Sequence, residues 1–190
     1  MPLKTLIFML VAGASLSLSG CAAFNPLLVT MGLAEAPPPV TDSNYFNMQT
    51  DLLLERIKTS QSKTLRRVAT LNFINANGQV SELGKYLTSK FVERAMASQM
   101  FRMTPQGQVK EAMTKLKIVG AAELTRDQIE KLGTELDVDA IVTGVVSDLQ
   151  KGSDVDVSVK VIHVQTGGMV AAASVNIYRS KQVQTLIQQF

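Results

Sequence analysis

The spacing of apolar positions changes several times along the chain, and each change marks an element. In "YFNMQTDLLLERIKTS", Tyr45, Met48 and Leu52 recur at helical spacing, as do Phe46, Leu53 and Ile57. Asp42, Ser43 and Asn44 precede this run as N-cap candidates. The pattern predicts a helix over about 45–60 that docks on the main domain. "RRVATLNFI", 66–74, reads as a strand, and "NANG", 75–78, as a turn. In "SELGKYLTSKFVERAMAS", 81–98, Leu83, Leu87, Phe91 and Ala95 fall at four-residue intervals and form one stripe. Gly84 lies beside that stripe. A glycine within a helix costs about 1 kcal/mol against alanine, so its presence here predicts close approach to a sheet.

"MFRMT" reads as a short strand, and Pro105 suits the first turn of a helix over about 105–115. Thr125 and Gln128 match a capping box. Ile129, Leu132, Gly133 and Leu136 follow at helical spacing, and this helix ends near Asp137. "DAIVTGVVSDL", 139–149, is apolar on both faces and so predicts a central strand. Beyond it the period becomes two. Val155, Val157, Val159 and Val161 face one way, while Asp154, Asp156, Ser158 and Lys160 face the other. "QTGGM" reads as a hairpin turn with Gly167 and Gly168 free to take positive φ, and "MVAAASVNIY" as the returning strand. Val183, Leu186, Ile187 and Phe190 suggest a short amphipathic end helix.

The predicted order is helix, strand, helix, strand, helix, helix and three strands. Early strand–helix–strand crossovers imply parallel pairs, and late hairpins imply antiparallel ones. The expected fold class is α/β (α+β), with a mixed sheet of about five strands covered by helices.

The chain begins differently. Lys4 gives a short basic start, and "LIFMLVAGASLSL", 6–18, is uncharged and apolar or small throughout. That is the length of a secretory h-region, below the ~18–20 residues of a membrane-spanning helix. Leu18, Ser19, Gly20 and Cys21 follow, and Cys21 is the only cysteine. This stretch resembles the bacterial lipobox. The resemblance implies a diacylglyceryl group on the Cys21 thiol, cleavage before Cys21 and further acylation of the new amino group. Several acyl chains on one residue would hold a soluble domain at a membrane. The alternatives are a plain secretory signal with a coincidental cysteine, or a buried thiol. Ala22 and Ala23 supply no acidic residue beside the cysteine, which points to outer-membrane sorting. The expected organisation is a signal peptide over 1–20, an acylated tether over 21–44 and one domain over 45–190. Pro37–Pro39 stiffen that tether.

Removal of residues 1–20 deletes Lys4 and lowers the formal charge from +3 to +2. Charges of both signs alternate, and Arg66-Arg67 is the longest basic run, so a nucleic-acid footprint is not expected. That run suits a solvated strand end, or contact with anionic lipid or peptidoglycan. With Cys21 acylated, His163 is the one remaining Cys or His, so neither a Cys/His metal site nor a cofactor is expected. No G-x-S-x-G, P-loop or G-x-G-x-x-G is present. His163 shares the parity of the valine face near its strand's end. It is either a pH-sensing or catalytic imidazole, or a partly buried histidine bonded to a backbone carbonyl or displaced by a bulge. Asp137 and Asp139 either pair as carboxylates or bond locally in the turn they flank. Asp154, Asp156 and Lys160 share one strand face, which is either simply solvated or a protein-docking surface.

Three stretches carry a resemblance. "RRVATLNFINANGQVSELGKYLTSKFVERA", "KLGTELDVDAIVTGVVSD" and "VSVKVIHVQTGGMVAAASVNI" resemble the FlgO-type domain of bacterial outer-membrane lipoproteins. That domain is similar to the periplasmic α/β domains of curli-secretion lipoproteins and penicillin-binding-protein activators. The resemblance covers about residues 45–178, and its glycines and apolar positions specify a fold more than an activity. It implies a non-enzymatic lipoprotein of the outer membrane with its domain in the periplasm. The implied partners are envelope proteins of a flagellar or other surface apparatus, or further copies of the chain. A second reading is a regulator that binds and activates a peptidoglycan synthase. The tether weighs against it, since ~20 residues reach about 60 Å only when fully stretched. An envelope hydrolase lacks a nucleophile–base pair, and a secretion pore is unsuited to Asp and Lys on what would be the lipid face of 154–160.

Overall fold

In a computed structural model, residues 42–120, 124–148 and 152–188 are described. Their elements in order are α1 (Asp42–Ser60), β1 (Arg67–Thr70), β2 (Ile74–Asn75), α2 (Glu82–Ala97), β3 (Arg102–Met103), α3 (Gln106–Lys115), α4 (Arg126–Leu136), β4 (Ala140–Ser147), β5 (Asp154–His163), β6 (Met169–Tyr178) and α5 (Lys181–Gln188). The sheet has six strands in the order β3-β1-β4-β5-β6, with β2 also paired to β4. β1 runs parallel to β3 and β4, whereas β4, β5 and β6 are antiparallel. The mixed α/β architecture is the expected one, and β4 is central as its two apolar faces require.

The expected strand over 66–74 is two strands. Between Thr70↔Val142 and Ile74↔Val145, four residues advance against three of β4. The extra residue is accommodated around Phe73. Its N–H donates to Thr88 Oγ1 of α2 (2.8 Å), which itself donates to Gly84 O (2.8 Å). Its carbonyl oxygen would lie 2.1 Å from a Cβ on Gly84, and its ring 2.4 Å from a Cβ on Gly144. The ring also packs on Phe91, with centroids 5.9 Å apart. Gly84 therefore permits the close approach that its place in the helix predicted.

Two apolar clusters lie on opposite faces of the sheet. The first joins Phe46, Leu53 and Ile57 of α1, the Leu83–Leu87–Phe91–Ala95 stripe of α2 and the inward valines of β5. Val183 of α5 closes it. The second is smaller and joins Val109 and Ala112 of α3 and Ile129 and Leu132 of α4 to Ala69 and Ile141. It holds no residue of β6, and only Ile162 of β5 reaches its rim.

Helix α1 also caps the outer edge of β6. Ser62 N–H donates to Val170 O (2.9 Å), Ser60 Oγ to Ala172 O (3.0 Å) and Arg56 to Ser174 O. Tyr178 N–H donates to Tyr45 Oη (2.7 Å). A bulge near the start of β6 leaves Val170 without a partner on β5, so the neighbours Val170 and Ala171 are both buried. The Asp51–Arg94 pair (2.7 and 2.6 Å) ties α1 to α2.

Asp139 joins α4 and β4 to the start of β1. Its Oδ2 accepts from Arg66 N (2.7 Å) and Arg67 N (2.9 Å). These donors, Arg67 first and then Arg66, hold its carboxyl below the usual carboxylate range. Asp137 takes the left-handed position that ends α4 (φ 50°) and pairs with Arg67.

Two expected outcomes follow. Gly84→Ala destabilises the fold by about 1–3 kcal/mol, because its methyl overlaps Phe73 O. At an unobstructed helix site the same change would stabilise by up to about 1 kcal/mol, so the sign of the shift in a urea midpoint decides. Asp139→Ala removes two charge-assisted bonds at a half-exposed site and costs about 1–2 kcal/mol at pH 7. Because the folded pKa is depressed, this contribution is complete above the unfolded value near pH 3.9. It disappears as pH falls through the folded value, so the two stability curves converge in acid.

Candidate protein-docking face

β5 alternates because one of its faces is core and the other is not. Val155, Val157, Val159 and Val161 are buried, whereas Asp154, Asp156 and Lys160 are exposed and Ser158 is half-buried. The strand register extends this outer face across three strands. It gives the rows Thr143–Lys160–Ala172, Val145–Ser158–Ser174 and Ser147–Asp156–Asn176. Among the described residues, no helix covers these rows, since α3 and α4 pack on β1 and the first half of β4.

The Lys160 end of the face is a groove of about 630 Å³. Ile74 and the turn Asn75–Gly78 wall one side, Leu124 stands on its rim, and Val145, Ser158 and Ile162 contribute to its floor. The turn is rigid for a local reason. Asn75 Oδ1 accepts from the N–H groups of Asn77 and Gln79, both at 2.9 Å, and Gly78 takes φ 80°. Lys160 and Asp156 make no ion pair with any described residue, although such pairs form elsewhere among the described residues. The surface therefore carries a cation, a central row of small side chains and an anion along one line.

The other candidates from the sequence fall elsewhere. Cys21 and the lipobox residues Leu18, Ser19 and Gly20 lie outside the described residues, as do Pro37–Pro39 and Phe190. His163 keeps the parity of the valines but sits at the mouth of the hairpin. Its Nδ1 lies 3.2 Å from Thr166 Oγ1, a turn hydroxyl in place of the expected backbone carbonyl. Its backbone closes the turn through His163 N–Gly168 O (2.9 Å) and Gly167 N–His163 O (2.8 Å). Of the two glycines, only Gly167 takes positive φ (64°). Asp137 and Asp139 are engaged by Arg67 and by two backbone amides, and do not form a carboxylate pair. Arg66 and Arg67 present their backbones to Asp139, so at least part of their role is structural.

The groove was hidden from the sequence because its walls, the 75–78 turn and Leu124, are distant in the chain from its floor on β4 and β5. The alternation of β5 signalled an open face. Only the offset of β2 along β4 shows that the 75–78 turn rises beside it.

Similarity to known proteins agrees with this architecture. No curated protein sequence matches the chain. Among solved structures, the LpoB C-terminal domain from Escherichia coli matches at TM-score 0.58 and 13% identity, over 70% of this chain and 98% of that one. The corresponding domain from Salmonella enterica matches at 0.56 and 14% identity, with the same coverage. The NMR structure of E. coli LpoB matches at 0.58 and 13% identity, over 77% of this chain and 75% of that one. Such identities speak for the fold alone. The family model described as FlgO protein matches residues 47–182. With most of α1 through the start of α5 inside that match, the chain belongs to the FlgO family.

Proposed function

We propose that this chain is a non-enzymatic lipoprotein of the bacterial envelope that acts through protein contacts. It is anchored by acyl chains on Cys21, resides at the outer membrane and presents residues 45–190 to the periplasm as one domain. There it takes part in assembling a surface apparatus such as a flagellar outer-membrane ring. The observation that carries this reading is the FlgO match over residues 47–182. The lipobox-like Leu18–Cys21 supports the anchor, and the uncovered outer face of β4–β6 supports action by docking. Several greasy chains on one residue convert reversible membrane contact into lasting attachment, so the domain itself needs no apolar membrane-facing surface. Among the described residues, no helix is long and apolar enough to cross a membrane.

A second reading has its own support. The fold is shared with LpoB, a penicillin-binding-protein activator lipoprotein. On this reading the chain binds and activates a peptidoglycan synthase. The short proline-stiffened tether favours the first reading, because an inner-membrane partner lies near the limit of its stretched length.

Mass spectrometry of the protein recovered from intact cells tests the anchor. The expected product begins at Cys21, carries acyl mass and fractionates with the outer membrane, whereas Cys21→Ser retains residues 1–20 and no lipid. Full-length, unmodified wild-type chain would overturn the anchor. Crosslinking in the same cells discriminates the partners: surface-apparatus components support assembly, and a synthase supports the second reading. Turnover of a peptidoglycan or ester substrate by the purified protein would overturn the non-enzymatic assignment.

A further inference from the structure

The outer face of β4–β6 shows the kind of partner it fits. We infer that it binds an amphipathic helix of a partner protein. That helix carries a carboxylate that meets Lys160 and a cation, about two to two and a half turns away, that meets Asp156. This inference rests on the reading of the chain as a protein-contact module.

Three observations lead to a helix. First, the occupant must satisfy its own backbone hydrogen bonds, because a sheet face offers it no ladder. A helix does so and an isolated extended segment does not. Second, addition of a strand at an edge has no template. Side chains of α1 occupy the outer edge of β6, and the opposite edge, β3, is only two residues long. Third, the dimensions agree. Three strands span about 10 Å, close to the diameter of a helix with its side chains. The opposite face of this sheet already carries helices α1 and α2 in that manner. The outer face is the position where a layered α/β fold accepts one more helix.

The chemistry of the occupant follows from the three rows. Val145, Ser158 and Ser174 form a low floor on which a helix can settle closely, with its apolar side chains directed to the groove beside Leu124. Lys160 and Asp156 lie four residues apart on one strand, about 13 Å, which equals about nine residues of helix rise. Among the described residues, neither has an ion partner. An acid and a base of the partner at that separation would therefore be matched in one orientation and repelled in the reverse. The polarity of the face sets the direction in which the helix lies.

A photocrosslinking residue at Ser174, in full-length protein in intact cells, tests this. Ser174 is exposed, so the replacement leaves the core untouched. The expected adduct maps by mass spectrometry to one helix of another protein, with an acid and a base seven to nine residues apart. In the double variant Asp156→Lys/Lys160→Asp, which keeps the net charge, the adduct yield falls on the order of tenfold. An unchanged thermal midpoint shows that the loss is not unfolding. An adduct to a second copy of this chain, to a non-helical segment, or one indifferent to the charge reversal overturns the helix proposal. A second crosslinker at Met96, on the exposed side of α2, separates the two levels of inference. Capture there but not at Ser174 refutes this face and leaves the protein-contact reading intact. Capture at neither position refutes both.

Discussion

Everything in this fold depends on where the chain can place Phe73. Its N–H is held by Thr88, its carbonyl lies where Gly84 lacks a side chain, and its ring rests on Gly144 and Phe91. Those contacts come from helix α2 and the central strand β4, so one residue at the break between β1 and β2 fixes the helix and the strand relative to one another. The absence of a Cβ at two sites is as necessary as the aromatic ring itself. Close packing leaves no slack to absorb a methyl group at either site.

The same residue shapes the candidate binding surface. Because β1 stops before Phe73, the chain resumes as β2 further along β4. The turn after β2 then stands beside the outer face of β4 and β5. A continuous strand over the same residues would pair Ile74 with Val146, one residue further along β4, and turn its side chain to the other face of the sheet. A constraint in the core thus builds a wall of the groove on the opposite face. The glycines hold the frame, and the exposed positions of β5 and β6 take no part in that packing.

Much of this was legible in the sequence, and the failures share a cause. Periodicity reports burial along one element, so it located α1, α2, the capping box of α4, the central strand and the alternating β5. It cannot report a partner distant in the chain. The break at Phe73 depends on Thr88 and Gly84. The role of Asp139 depends on the amides of Arg66 and Arg67, so a residue that reads as a turn former is a long-range staple. The adjacent buried pair Val170–Ala171 defies alternation because a bulge removes one residue from the ladder. Exposed Asp154, Asp156 and Lys160 were readable as a face. That no helix among the described residues lies over them was not, because α3 and α4 pack on β1 and the first half of β4 through contacts distant in the chain.

The guarded edge of β6 has a consequence for life at a surface. With the lipid anchor proposed for Cys21, copies on one membrane would meet one another in two dimensions, at local concentrations far above those of a dissolved protein. Under such crowding, a bare row of amides and carbonyls on one copy would zip against the next and seed insoluble fibres. Tyr45, Arg56, Ser60 and Ser62 occupy that row on every copy. Neighbours can then be packed densely without fusing into one sheet.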